Sequence, residues 1–278
     1  MVKNKLIAPF LKWVGGKRQI MPLIVEHLPK EKFTTYYEPF VGGGAVLFHL
    51  QPRKAVINDF NLELINVYKV IKNNVDELIA DLKTHKNHPT YFYQLRAKDR
   101  TEEINNLSNI ERASRIIYLN KTCFNGLYRV NNAGEFNSPF GSYKNPNIVN
   151  EPTLKAVSKY LNSHDIQMVA GDYENILNSI SRNALVYFDP PYHPASDSSN
   201  FTGYIQGGWG SDDQIRLKEA CDGLNNRNVK FLLSNSGTEY IKDLYKGYNI
   251  SIIKANRAIN SNGEKRGEVE EVLIRNYE

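Results

Sequence analysis

Five apolar residues, Ala184 to Phe188, run straight into Asp189-Pro190-Pro191-Tyr192. This junction limits the fold more than any other stretch of the sequence. The apolar run has the length and uniform hydrophobicity of a buried strand. The two prolines that follow exclude both helix and central-strand pairing, because neither has an N–H to donate and each fixes φ. A core strand must therefore stop at a rigid lip carrying one carboxylate, outward backbone carbonyls and one aromatic face. Such a lip suits a planar group bearing an amine. Two acceptors would grip the N–H bonds while Tyr192 stacks on the ring.

The rest of the chain supplies a setting for the lip. Strand-like segments recur at "YYE" before a glycine cluster, "AVINDFN", "IQMVAGDY", "ALVYF", "VKFLLSNS" and "EVEEVLIRNY". Helical spacing lies between several of them: Ile20, Leu23, Ile24 and Leu28; residues 62–82, read as one helix; and "DDQIRLKEACDGLNN". Alternating strands and helices predict an α/β fold with a mostly parallel, twisted sheet covered on both faces. Ligands of such sheets bind beyond the carboxyl ends of the strands. Residues 83–150 differ in character. They are helix-like to about Asn120, then rich in Asn, Gly, Tyr and Phe ("TCFNGLYRVNNAGEFNSPFGSYKNP"), which predicts a loop or β-hairpin. The division expected is a core of residues 1–61 and 151–278 with a mainly helical module, 62–150, inserted in it.

Charge separates the two parts. The formal net charge is +5. Between Leu82 and Pro146 there are ten basic residues and five acids, so this segment carries the whole excess. A polyanion-binding insertion has this appearance, and so does a solvated helical surface. No apolar run approaches the ~18 residues of a membrane span. The first residues lack the apolar centre and cleavage site of a signal peptide. Cys123 and Cys221 stand far apart, outside any metal-binding spacing. A reduced, cytoplasmic setting without a structural metal is expected.

Three further groups sit where a ligand is expected. Gly42, Gly43 and Gly44 join a strand to a helix, letting backbone approach a ligand and placing a helix N-terminus beside an anionic group. "VGGKR" at 14–18 lacks the spacing and the Ser/Thr of a phosphate loop, which excludes a nucleoside triphosphatase. Asp59 ends the next strand, where an acid commonly accepts from ribose hydroxyls; it also precedes a helix that it would cap. Asp172 ends another strand the same way, and a helix cap accounts for it as well as a cofactor contact does. The aromatic, amide and basic side chains of 123–144 include the types that read base edges.

Together these words resemble the Dam-type DNA adenine-N6 methyltransferases. The matching stretches are "FLKWVGGKR", "YEPFVGGGAVLF", "AVINDFN", "FNGLYRVNNAGEFNSPFGSYKNP", "GDY", "YFDPPY", "FLLSNS" and "RGEVEEVLIRNY", in order, from near residue 8 onward. The resemblance implies a Rossmann-like methyltransferase core using S-adenosylmethionine. Trp13, Lys17, Asp59 and Asp189 would line its site, Gly42–Gly44 would lie near its methionine portion, and Asp172 near its adenine. The insertion would be a target-recognition domain for double-stranded DNA. There Asn125 would wedge the duplex, Leu127, Arg129 and Pro139 would face base edges, and Lys12 would also contact a base. The family's usual target, GATC, is implied with it. Phe201 and Tyr204 would be substrate-side contacts in a catalytic loop.

On this resemblance Asp189, Pro190 and Tyr192 are the catalytic residues. They would hold the amine of a flipped-out adenine without a metal. A monomer is expected, with a cognate restriction endonuclease as a genetic partner. Two alternatives stay open on sequence alone. The lip would equally serve cytosine N4 or an adenine in RNA, and a non-catalytic DNA-binding protein would retain the same fold.

Overall fold

The computed structural model describes residues 3–13, 15–131, 133–178, 180–194, 208–256 and 268–278. In chain order the elements are α1 (Met21–Glu26), β1 (Thr35–Glu38), α2 (Ala45–Leu50), β2 (Lys54–Asp59), α3 (Leu62–Asn73), α4 (Val75–Leu82), α5 (Pro89–Ala97), α6 (Asn109–Thr122), α7 (Glu151–Ser163), β3 (Asp165–Ala170), β4 (Ala184–Phe188), α8 (Ser211–Asn226), β5 (Lys230–Ser236), α9 (Glu239–Leu244), β6 (Asn249–Asn256) and β7 (Glu268–Arg275).

The strands form one seven-stranded sheet in the order β3-β2-β1-β4-β5-β7-β6. The first five are mutually parallel, and β7 runs antiparallel between β5 and β6. Chain order reverses beside β1, the position at which parallel sheets open a crevice at their carboxyl ends. The fold is the mostly parallel α/β architecture expected from the alternation of strands and helices, with the Rossmann-like strand order that the resemblance implies.

Alternation along each central strand builds two apolar layers. Tyr36, Leu185, Tyr187 and Leu232 face one way, into a cluster with Leu47, Tyr68 and Val157. Tyr37, Val186, Phe188, Phe231 and Leu233 face the other, against Leu217 and Leu224 of α8. Buried residues of α3, α4 and α6 belong to the first cluster, so the helices of residues 62–122 share the sheet's own core.

Several local details depart from expectation. Residues 62–82 form two helices, broken at Asn74 (φ −138, ψ 41). The break lets α3 and α4 each turn an apolar face to α6. Strand β6 and helices α7 and α9 were not anticipated. Residues 123–140 form a sparse hairpin held by two isolated antiparallel bridges, Cys123↔Phe140 and Val130↔Phe136. Of the ten basic residues of 82–146, four are paired inside the protein. Arg115 and Arg100 hold Asp99, Arg112 holds Glu63, and Lys83 holds Glu151. Among the described residues no helix is long and apolar enough to cross a membrane, and no group of three His, Cys, Asp or Glu side chains is placed to hold a metal ion.

Candidate active site

The glycine turn caps β1 and opens α2. Gly42 has φ +49, and a Cβ there would stand 2.7 Å from Cδ1 of Trp13, so any other residue would be both strained and displaced by the indole. The Gly42 N–H donates to Oδ2 of Asp59 (2.9 Å), and the Tyr68 hydroxyl donates to the Gly42 carbonyl (2.9 Å). Asp59 also accepts from the Asn61 N–H (3.0 Å). Burial lifts its carboxyl to about 6, partly opposed by those two backbone donors. The N-cap of α3 is Asn61, whose side chain accepts from Leu64 N–H, so capping does not account for Asp59.

Asp172 stands differently. It accepts from the Glu174 N–H as the cap of a short 3₁₀ turn and takes a two-pronged ion pair from Arg216 of α8 (2.8 Å each). Around it lie Phe40, Tyr173 and Trp209, with Phe40 centred 5.1 Å from Tyr173 and 5.5 Å from Trp209. The Tyr173 hydroxyl and the Trp209 indole N–H are buried without a partner among the described residues. The Tyr173 ring lies under the Arg216 guanidinium (5.0 Å), next to the ion pair that holds Asp172.

The lip follows β4 at the same edge of the sheet. Oδ1 of Asp189 is 2.7 Å from the Lys17 ammonium. The same ammonium donates to the Gly15 carbonyl (2.6 Å) and lies 4.8 Å from the centre of the Tyr192 ring. Burial raises the Asp189 carboxyl to about 6; Lys17 opposes that rise and Glu271 adds to it. The Tyr192 hydroxyl donates to Glu271 of β7 (3.0 Å). Glu271 sits opposite Ser236 in the β5–β7 ladder, so the antiparallel strand carries an acid to the edge where the parallel strands end. Glu38, at the end of β1, accepts from the Tyr36 hydroxyl, and burial first, then the nearby Asp189, pushes its carboxyl well above the usual range.

Two buried amides brace the lip from behind. Gln214 of α8 donates to the Pro191 carbonyl (3.0 Å) and accepts from Asn235 of β5 (3.0 Å). Asn235 in turn accepts from the N–H groups of His193 (3.2 Å) and Ser236 (2.8 Å). The Pro190 carbonyl has no partner among the described residues, so it is the acceptor left open.

The N-terminal strap connects this site to the hairpin. Lys12 exchanges two backbone hydrogen bonds with the side chain of buried Asn120 (2.9 and 2.8 Å), which also donates to the Gly126 carbonyl. Lys12 itself is exposed. Asn125 and Gly126 take φ +57 and +64, turning the chain tightly over Lys12. Arg129 donates from Nε to Oδ1 of Asn137 (2.6 Å). Asn125 and Pro139 are exposed and Leu127 is half-buried on the same outer surface. Next to Asn125, Phe124 leaves 56% of its surface in solvent.

Sequence reasoning therefore named residues that converge. Trp13, Lys17, Gly42–Gly44, Asp59, Asp189, Pro190 and Tyr192 gather at the carboxyl ends of β1, β2 and β4. Asp172 lies at the end of β3, turned to Arg216. Lys12, Asn125, Leu127, Arg129 and Pro139 form a second group on the hairpin. Glu271, Gln214, Asn235, Asn120 and Arg216 were missed. Phe124 had a signal in the exposed aromatic before an Asn-Gly turn. Phe201 and Tyr204 lie outside the described residues.

A Rossmann-like sheet with a glycine turn, an acid ending β2 and an Asp-Pro-Pro-Tyr lip defines the methyltransferase class. Residues 13–259 match the family model described as D12 class N6 adenine-specific DNA methyltransferase, and the chain belongs to that family. It is 44% identical to the Type II methyltransferase M1.LlaDCHI of Lactococcus lactis subsp. cremoris, over 99% of this chain and 98% of that one. It is 43% identical to the Type II methyltransferase M.MjaIII of Methanocaldococcus jannaschii, over 98% and 99%. The DNA adenine methylase of Serratia marcescens is 36% identical over 98% of both. The protein is thus an adenine-specific DNA methyltransferase. The family sets aside the cytosine, RNA and non-catalytic alternatives.

Proposed function

We propose that the enzyme transfers a methyl group from S-adenosylmethionine to N6 of an adenine flipped out of duplex DNA, within GATC. The observation that carries this reading is the lip. Asp189, the open Pro190 carbonyl and the Tyr192 ring stand together beside the glycine turn and Asp59. The donor fits the residues present: Asp59 for ribose hydroxyls, the Gly42–Gly44 turn that a Cβ would fill and Trp13 along it, Lys17 near Asp189, and Asp172 with the Phe40, Tyr173 and Trp209 rings for a purine. When bound, it supplies a sulfonium-activated methyl.

The remaining work is positional. The target amine is buried by base pairing, so the adenine must leave the stack at a cost of a few kcal/mol, much of which one aromatic stack of ~1–3 kcal/mol offsets. Tyr192 provides that stack, with its hydroxyl fixed by Glu271. Asp189 and the Pro190 carbonyl accept the two amine hydrogens and turn the nitrogen lone pair toward the methyl. The proton released as nitrogen is alkylated passes to Asp189, whose raised carboxyl makes it a better acceptor than an ordinary aspartate. Lys17 occupies one oxygen of Asp189 and keeps the buried carboxylate partnered before substrate arrives.

The hairpin supplies readout: Arg129, pre-oriented by Asn137, together with Leu127, Pro139 and Lys12 at base edges and Asn125 as a wedge beside exposed Phe124. Recognition then rests on the hairpin end of residues 62–150, whose helices pack into the same core as 1–61 and 151–278, and the enzyme acts as a monomer in the cytoplasm. The Type II names of two relatives favour a cognate restriction endonuclease as genetic partner. Incubating plasmid DNA with the purified protein and labelled donor, then mapping modified adenines at base resolution, tests activity and target together. N6-methyladenine confined to GATC is expected. Asp189→Ala is expected to remove incorporation while leaving the circular dichroism spectrum unchanged; near-normal turnover would refute the mechanism.

A further inference from the structure

Burial along the hairpin has a period of two. Leu127 and Arg129 are half-buried on the outside, while Tyr128 and Val130 are buried; on the return limb Asn137 and Pro139 face outward and Phe136 and Ser138 inward. This is the side-chain rule of an extended strand. The residue between two proposed base readers therefore points the opposite way, into the protein. Tyr128, 5% exposed, stacks on Trp13 with ring centres 4.8 Å apart and planes 21° from parallel. Trp13 in turn lies on Gly42, so closely that a Cβ there would meet its ring. Gly42 N–H is held by Asp59. The Tyr128 hydroxyl lies beside the side chain of Asn61, whose N–H is held by the same carboxylate. Two stacked rings thus connect the hairpin to the glycine turn.

We propose that the Tyr128–Trp13 stack is a specificity-coupling contact, through which engagement of the correct duplex by the hairpin and occupancy of the glycine turn favour one another. The inference rests on the function proposed above. Among its described residues the hairpin has two ladder bridges and a few cross-limb side-chain bonds, and its inner face is seated on what lies beneath it. Phe136 packs edge-on against Tyr128, and the Phe136 N–H is held by Asp99. Stiff rings in a close-packed interior pass a displacement on rather than absorbing it. A shift of Leu127 and Arg129 onto base edges must move Tyr128, and with it the indole that forms one wall of the turn. Coupling of this kind is reciprocal: the factor by which cognate DNA tightens cofactor binding equals the factor by which cofactor tightens cognate DNA. Adjacency alone does not establish coupling, so the decisive quantity is the linkage itself.

The test is calorimetric titration of the full-length protein with S-adenosylhomocysteine. It is made alone, with the duplex identified by the plasmid map, and with a duplex whose target base pairs are permuted. The cognate duplex is expected to tighten binding by a factor on the order of ten, and the permuted duplex not to. Tyr128→Phe keeps the ring and is expected to keep the factor. Tyr128→Met fills the volume without a ring and is expected to bring the factor close to one, while each ligand still binds alone. An intact factor in Tyr128→Met would overturn the proposal. So would a factor near one in the wild-type protein, a measurement that depends on no variant folding. Absence of S-adenosylhomocysteine binding would overturn the proposed function as well. Binding and turnover without linkage would overturn the coupling alone.

Discussion

Asp59 and Asp189 are both lifted by burial to about 6. An acid raised in this way stays protonated where an ordinary aspartate is already ionised, and its acceptor form appears only as pH rises through the higher value. Both are acceptors in the proposed mechanism. The rate constant kcat/KM is therefore expected to climb from roughly pH 5 to 7, with an acid limb steeper than one proton, measured with saturating duplex. Glu271 is a like charge that holds Asp189 up. Glu271→Gln is expected to move that limb to lower pH, because the carboxamide oxygen still accepts from Tyr192 but the charge is gone. An unmoved limb would separate Glu271 from the titration. On the hairpin, Arg129→Ala is expected to relax discrimination at one base pair by ~1–3 kcal/mol, read from kcat/KM on substituted duplexes. Unchanged preference would remove Arg129 from the readout.

Helix α8 works through two side chains two residues apart, in one turn and on different faces. Gln214 braces the Pro191 carbonyl and Asn235; Arg216 grips Asp172. Gln214→Leu would leave a buried carbonyl and a buried amide unpaired, a cost of about 1–3 kcal/mol each. A lowered thermal midpoint is expected together with a reduced kcat, since the lip would lose its support. A lowered midpoint with unchanged kcat would make Gln214 purely structural. The division between what the sequence revealed and what it concealed follows the same line. The glycine turn, Asp59 and the lip were legible because their chemistry is local: a strand, then residues that only a strand end tolerates. Gln214 reaches across 23 residues to Pro191, Tyr192 across 79 to Glu271, and Lys12 across 108 to Asn120. No spacing rule links such partners, because the sheet order that brings them together is not written in any one segment. The break at Asn74 was hidden for a related reason: both halves of 62–82 keep an apolar face, and only packing on α6 separates them.

The molecule meets DNA with less spare charge than its composition suggests. Four of the ten basic side chains of 82–146 are tied to carboxylates and Arg129 is turned to base readout, which leaves five for phosphates from that segment. Ten neutralised phosphates would give a log–log salt slope of about −9, and five about −4.5. Duplex affinity measured from low to moderate salt is expected to show a contribution from the insertion nearer the smaller value. A flat dependence would make the insertion a solvated surface.

Strand β7 leaves the ribosome after the six strands it joins, yet it is hydrogen-bonded between β5 and β6 and carries the glutamate that fixes Tyr192. A domain generally folds as a unit, and the glycine turn, the hairpin and the lip all rest on this one sheet and its core. The lip cannot be completed until the final strand arrives. The contact that holds the stacking ring of Tyr192 in place thus depends on the strand of this sheet that is made last.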